Sequence, residues 1–128
     1  MEARAVRKHI RSSPKKLRPL ANVVRGKRVP DALDTLNFLP QKATRVVKLT
    51  ILSAVHNLMD RNREKRFDEN ELVVKEIRVD EGARLKRFQP VSRGRAHPIL
   101  KRTAHLTVVV SLDRTTEEKP VEVETEEA

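Results

Sequence analysis

The chain of 128 residues has no cysteine, no tryptophan and no tyrosine, and only three glycines and three phenylalanines. Without cysteine there is no disulfide scaffold, no thiolate metal site and no cysteine nucleophile. Phe38, Phe67 and Phe88 are the only aromatics, too few for the stacking platforms on which single-strand binders lay successive bases. No apolar run approaches the length of a membrane span, and no signal-peptide core opens the chain. A soluble intracellular protein is therefore the default expectation. The most telling lack is local: from Gly82 to Leu112, thirty-one residues, there is no Asp or Glu.

What is present is positive charge. The formal net charge is +10 and the pI about 10.5, so the natural partner is an anion, nucleic acid first and an acidic membrane surface second. The charge is segregated. Residues 1–112 carry 26 basic and 11 acidic groups, whereas residues 113–128 carry two basic and seven acidic ones. The first thirty residues hold ten basic groups against Glu2 alone, and residues 82–112 hold seven against none. A basic face built only for solubility would intersperse the signs. This one does not, which favours binding to nucleic acid.

The length fits one small domain. Residues 3–10 alternate weakly as a strand, with Ala3 and Ala5 on one side and Arg4, Val6, Lys8 and Ile10 on the other. Ser12-Ser13-Pro14 predicts a helix start with a serine cap. Leu17, Leu20, Ala21 and Val24 follow at helical spacing, and Gly26 is a fitting stop. Pro19 lacks a donor and crowds the preceding turn, so this helix is expected to kink or to begin late. Val29-Pro30-Asp31 opens a second short helix, with Ala32, Leu33 and Leu36 on its apolar face, and Pro40 closes it or starts the next.

Residues 41–61 give the strongest helix. Ala43, Val46, Val47, Ile51, Ala54, Val55, Leu58 and Met59 form one wide stripe, and Leu49 and Leu52 add a second apolar face, so contact from both sides is expected. Residues 60–70 are polar and charged, a surface connection. Then comes a long arm, 72–112. Beta-branched flanks at 72–79 and 99–112 enclose a basic middle that cannot form a core of its own. The reading is a β-hairpin whose distal half leaves the body and lies against a polyanion, reaching roughly 30 Å if about ten residues per side project. An arm of that charge is not expected to stay ordered alone in water. Residues 113–128 read as an acidic disordered tail.

Little here points to catalysis or metal. His9, His56, His97 and His105 lack any paired ligand spacing, so a structural or RNA-facing role is favoured. Asp60, Glu64, Asp68 and Glu69 sit among Arg61, Arg63, Lys65 and Arg66, as a solvated helix end does. Gly26-Lys27 lacks the rest of a phosphate loop. No recognition-helix or zinc-finger pattern occurs. Binding through phosphates and shape, suited to a large folded RNA, is what remains.

The arm also carries a resemblance. Val79-Asp80-Glu81-Gly82, Lys86-Arg87, Pro90, Gly94-Arg95-Ala96 and Ile99-Leu100-Lys101-Arg102-Thr103, with His105 and residues 107–111, resemble the L-twenty-two family of large-subunit ribosomal proteins in its bacterial or organellar form. Ser13-Pro14-Lys15-Lys16, Arg25-Gly26-Lys27, Ser53-Ala54-Val55 and Asn57 agree with it. Pro19 and Pro90-Val91 depart from the family's usual pattern. The resemblance covers about residues 3–112. It implies an α+β fold, three helices packed on a small antiparallel sheet with a long protruding β-hairpin at about 80–102. It implies a component of the large ribosomal subunit that binds ribosomal RNA during assembly, alongside neighbouring ribosomal proteins, and a hairpin tip bordering the nascent-peptide exit tunnel.

On this reading the chain is not an enzyme, takes no cofactor or metal, touches no membrane, and works on a cytoplasmic or organellar ribosome. Residues 1–112 form a single RNA-binding domain. Its arm meets RNA through Arg84, Lys86, Arg87, Arg93, Arg95, His97, Lys101 and Arg102, and its body through Lys15, Lys16, Arg18, Lys27 and Arg28. Phe88, Gln89, Pro90, Val91, Ser92, Arg93 and Gly94 form the tunnel tip, with Gly94 allowing a tight turn or a close backbone approach. The alternative is a free-standing basic nucleic-acid chaperone or DNA-compacting protein whose acidic tail masks the arm.

Overall fold

The computed structural model describes residues 2–62 and 68–112. The acidic tail, Phe67 and part of the polar connection lie outside the described residues. In chain order the elements are β1 (Glu2–Ile10), α1 (Pro14–Val24), α2 (Val29–Phe38), α3 (Thr44–Arg61), β2 (Leu72–Pro90) and β3 (Ala96–Leu112). Short 3-10 turns stand at Glu69–Glu71 and Ser92–Gly94. The sheet is antiparallel in the order β1-β3-β2. The expected α+β architecture is present, and the last strand of the chain is the middle strand of the sheet.

One core joins the layers. Leu17, Leu20, Val24, Leu36, Val47, Ile51, Val55 and Leu58 from the helices meet Leu72, Val74, Ile77, Leu106, Val108 and Val110 from the sheet, all buried. Leu33 and Val46 are only partly buried at its edge. Each fully buried large aliphatic side chain contributes roughly 1.5–3 kcal/mol relative to exposure. Leu49 remains 43% exposed. The expected second covered face of α3 is therefore absent on that flank: the apolar stripe that packs is a single one.

The helix ends correct three expectations. α1 starts at Pro14 and runs through Pro19 to Val24, so Pro19 does not delay it. Pro19 lies on the exposed face, where the Lys15 carbonyl that loses a donor can turn to water. Ser13 occupies the cap position, but its hydroxyl caps nothing; its carbonyl accepts the Lys16 N–H instead. α3 starts at Thr44, not at residue 41. Pro40 holds Leu39 extended, and the Gln41 carbonyl accepts both the Thr44 N–H and its hydroxyl, the latter at 2.7 Å. A turn thus comes before the helix. Gly26, at φ 78°, ends α1 in the left-handed conformation, and its N–H donates to the Val74 carbonyl at 3.0 Å. That bond docks the helix end on β2.

Three register skips shape the sheet. On β2, Val74 pairs with Val110 and Glu76 with Val109. The extra residue, Lys75, switches strand parity, so burial passes from Leu72 and Val74 to Ile77. On β1, Arg7 pairs with Leu106 and Ile10 with Ala104. The same device returns Ile10 to the buried side with Ala3 and Ala5, contrary to the simple alternation expected. The third skip lies between Glu81 and Arg84, where the arm begins.

Candidate nucleic-acid interface

Beyond Glu81 the hairpin has no covering layer. β1 pairs with β3 no further along the arm than Ala104, while β2 and β3 stay paired from Arg84↔Arg102 to Pro90↔Ala96. About nine residues per strand give an arm of roughly 30 Å, in keeping with its expected extent. Cross-strand partners share a face, so the pairings sort the side chains. Arg84, Lys86 and Arg102 lie on one face with Phe88, Pro98 and Leu100; Arg87, Lys101 and His97 lie on the other with Leu85, Gln89 and Ile99. Both faces are cationic. An arm of this kind is suited to being embedded among phosphates, rather than laid on one surface of them.

The tip closes between Pro90 and Ala96. The Val91 N–H donates to the Arg95 carbonyl at 2.9 Å, and Arg93 (φ 63°) and Gly94 (φ 69°) both take the left-handed conformation. A Cβ at Gly94 would meet nothing within 4 Å. Gly94 therefore serves the turn, the first of the two roles expected of it. Phe88 is 75% exposed, opposite Pro98.

At the arm's root stands a feature that sequence patterning does not reveal. The Glu81 carboxylate accepts from Arg84 Nε at 2.8 Å and lies 2.7 Å from its terminal nitrogen, with Arg102 at 3.6 Å. The hydrogen bond from Arg84, then the charges of Arg84, Arg102 and Arg18, hold the Glu81 carboxyl below its ordinary value of 4.5. Lys15 and Arg18 of α1 border the same concavity. Two cations expected on phosphate, Arg84 and Arg102, are thus partly neutralised from within. Among the described residues, Lys86, Arg87, Arg93, Arg95 and Lys101 have no carboxylate partner.

The remaining body cations divide. Lys16 faces a different concavity. Lys27 and Arg28 sit past the far end of α1, about 16 Å along that helix at the usual rise, where the Lys27 carbonyl accepts the Val74 N–H and Arg28 bridges to Val73. The five do not form one patch. Gly82 also has a role that the sequence hid: a Cβ there would fall 2.5 Å from Thr103 Oγ1 and 3.2 Å from His105 Cε1. The signal available was a glycine next to the last acid before the acid-free run. His9 and His105, far apart in sequence, meet edge to face with centroids 5.1 Å apart. Among the described residues no group of three or more ligand-type side chains gathers for a metal, and no helix is long and apolar enough to cross a membrane.

A small α+β body carrying a long hairpin, cationic on both faces, defines the chain as a basic protein of the extended-arm class. The model of the family described as Ribosomal protein L22p/L17e matches residues 5–111, and the chain belongs to that family. It is 57% identical over 122 residues to Large ribosomal subunit protein uL22 of Salinibacter ruber, covering 95% of this chain and 98% of the relative. It is 47% identical over 110 residues to the protein of that name from Chlorobaculum tepidum, covering 86% and 92%. For that of Bifidobacterium longum the identity is 45% over 114 residues, covering 87% and 95%.

Proposed function

We propose that the chain is a structural component of the large ribosomal subunit, bound to ribosomal RNA, and that its arm carries the greater part of that contact. Family membership and the names of its bacterial relatives support the ribosomal assignment. They favour it over a free-standing chaperone or DNA-compacting protein. The observation that carries the finer reading is the arm itself: paired to its tip, cationic on both faces, and free of acid beyond Glu81. In this reading residues 1–112 act as one RNA-binding domain. The acidic residues 113–128 are an extension the fold does not need, so deleting 115–128 leaves the melting temperature unchanged.

The tip belongs to the same proposal. Phe88 to Gly94 adds nothing to the core, and its one aromatic ring is exposed. Such a tip suits a boundary with open space, and we take that space, as the family resemblance implies, to be the nascent-peptide exit tunnel. Deleting Val91-Ser92-Arg93 should leave occupancy in purified subunits normal while altering macrolide response or nascent-chain stalling. Normal occupancy with both readouts unchanged would sink the tunnel assignment. Lost occupancy would make the tip an assembly anchor.

A further inference from the structure

His105 stands between two register skips. On one side, the pairs Arg7↔Leu106 and Ile10↔Ala104 leave Lys8 and His9 of β1 opposite His105 alone. On the other, His105 pairs with Asp80, just before the skip between Glu81 and Arg84 at the arm's root. His9 adopts φ 60°, a left-handed conformation that a non-glycine residue keeps only where its surroundings hold it. His105 supplies part of that hold. The His9 N–H donates to His105 Nδ1 at 3.1 Å, and the two rings pack edge to face.

A ring that accepts at Nδ1 is neutral and carries its proton on Nε2, whereas a charged ring has a donor at both nitrogens and accepts at neither. Imidazole is also the side chain whose charge ordinarily changes between about pH 5 and 8. Protonating His105 therefore sets two N–H groups against one another and removes the bond that closes the β1 bulge. The sheet offers the charged ring another position. Ala104 and Leu106 are buried in the core, so by strand alternation His105 lies on the opposite face, which it shares with its cross-strand partner Asp80. The Asp80 carboxylate, 3.6 Å from Arg78 Nε, is an acceptor on that face. The other titratable and charged groups of the neighbouring elements do not compete for the ring. On β1 they are Arg7, Lys8 and His9; on β2, Glu81 is engaged by Arg84 and Arg102; on α1, Arg18 acts on Glu81. None of the buried residues of α3 is charged.

We infer that His105 is a proton-operated joint at the base of the arm: neutral, it ties down the β1 bulge; charged, it releases that bulge and turns towards Asp80 on β2. The change reaches the arm through Gly82. A Cβ there would lie 3.2 Å from His105 Cε1, so the ring packs where β2 leaves the regular ladder. No acid on β1 can keep the charged ring on that strand, since Glu2, its one carboxylate, stands at the far end.

The test is a nuclear magnetic resonance titration of the full-length protein from about pH 7.5 to about 5.5, the range in which imidazole changes charge. His9→Asn is titrated beside the wild type: asparagine tolerates the left-handed conformation, and the change removes the second ring that titrates next to the same amide. At the upper pH the His105 ring should carry its proton on Nε2. The amides of residue 9 and Gly82 should then move in one step with the His105 ring, in both proteins. Adding His105→Asn should abolish the step at both amides, because the new carbonyl oxygen accepts at every pH. A proton on Nδ1 at the upper pH, or either amide standing still while the ring titrates, overturns the joint. A step that survives His105→Asn belongs to another group and overturns it as well.

Discussion

Thr103 donates its hydroxyl hydrogen to the carbonyl of Ala83 at 2.7 Å, across the point where the arm leaves the body. Thr103 is buried, and it stands opposite the extra residue of the skip between Glu81 and Arg84. The bulge removes two residues from the regular ladder, and this side chain restores one of their bonds. Gly82 makes the approach possible, because any Cβ there would collide with the same hydroxyl oxygen.

Gly82→Ala should therefore destabilise the protein by about 1–3 kcal/mol, the usual range for overpacking. Thr103→Ala alone should cost about 1 kcal/mol, the usual worth of one such hydrogen bond. Together they should cost less than their sum, since the second change removes the nearest clash; the approaches to the Thr103 backbone and His105, both at 3.2 Å, remain. Urea unfolding of the two single variants and the double variant measures this coupling. Strict additivity would show that the two residues do not meet.

The ion cluster at the root predicts a pH dependence. The folded-state carboxyl of Glu81 lies below its ordinary value, chiefly through the hydrogen bond from Arg84. A depressed carboxyl stabilises the fold fully above its unfolded-state pKa and loses that effect as pH falls through the folded one. The gap between wild type and Glu81→Gln in urea midpoint should stay constant from pH 7 to about 5, then narrow below about pH 4, where unfolded glutamate protonates. A gap that holds constant down to pH 3 would remove Arg84 and Arg102 as its partners.

Arg93 and Arg95 flank Gly94 at the tip, and neither has a carboxylate partner among the described residues. Changing both to Gln should flatten the salt dependence of RNA binding by about 0.7–0.9 for each phosphate that is no longer neutralised. Melting temperature should not move, because neither side chain is buried. Retention of the full slope would place the arm's phosphate partners nearer its root.

What the sequence disclosed was whatever depends on local spacing. Leu17, Leu20 and Val24 mark α1; Val47, Ile51, Val55 and Leu58 mark α3; the acid-free run marks the arm. Its silence begins where one strand must be matched against another. Nothing around Lys75, His9 or Gly82 declares an extra residue, because a skip exists only relative to β3. Glu81 read as the last acid before the arm, and its placement between two arginines needed the pairing Arg84↔Arg102. That Lys8 and Lys42 border one concavity was hidden for a similar reason, since it follows from the packing of α3 on β1.

The middle strand of the sheet is also the one synthesised last. Glu2 pairs with Ser111, so β1 must wait for more than a hundred residues before β3, its neighbour in the sheet, exists. Until then Ala3 and Ala5 have no strand beside them, and α3, packed against β1 and the other helices, still lacks its contact with β3. Such distant pairing slows closure, since a long loop must be ordered before any contact repays it. A basic nascent chain thus passes most of its synthesis without a finished core, and residues 96–112 supply the strand that closes the body.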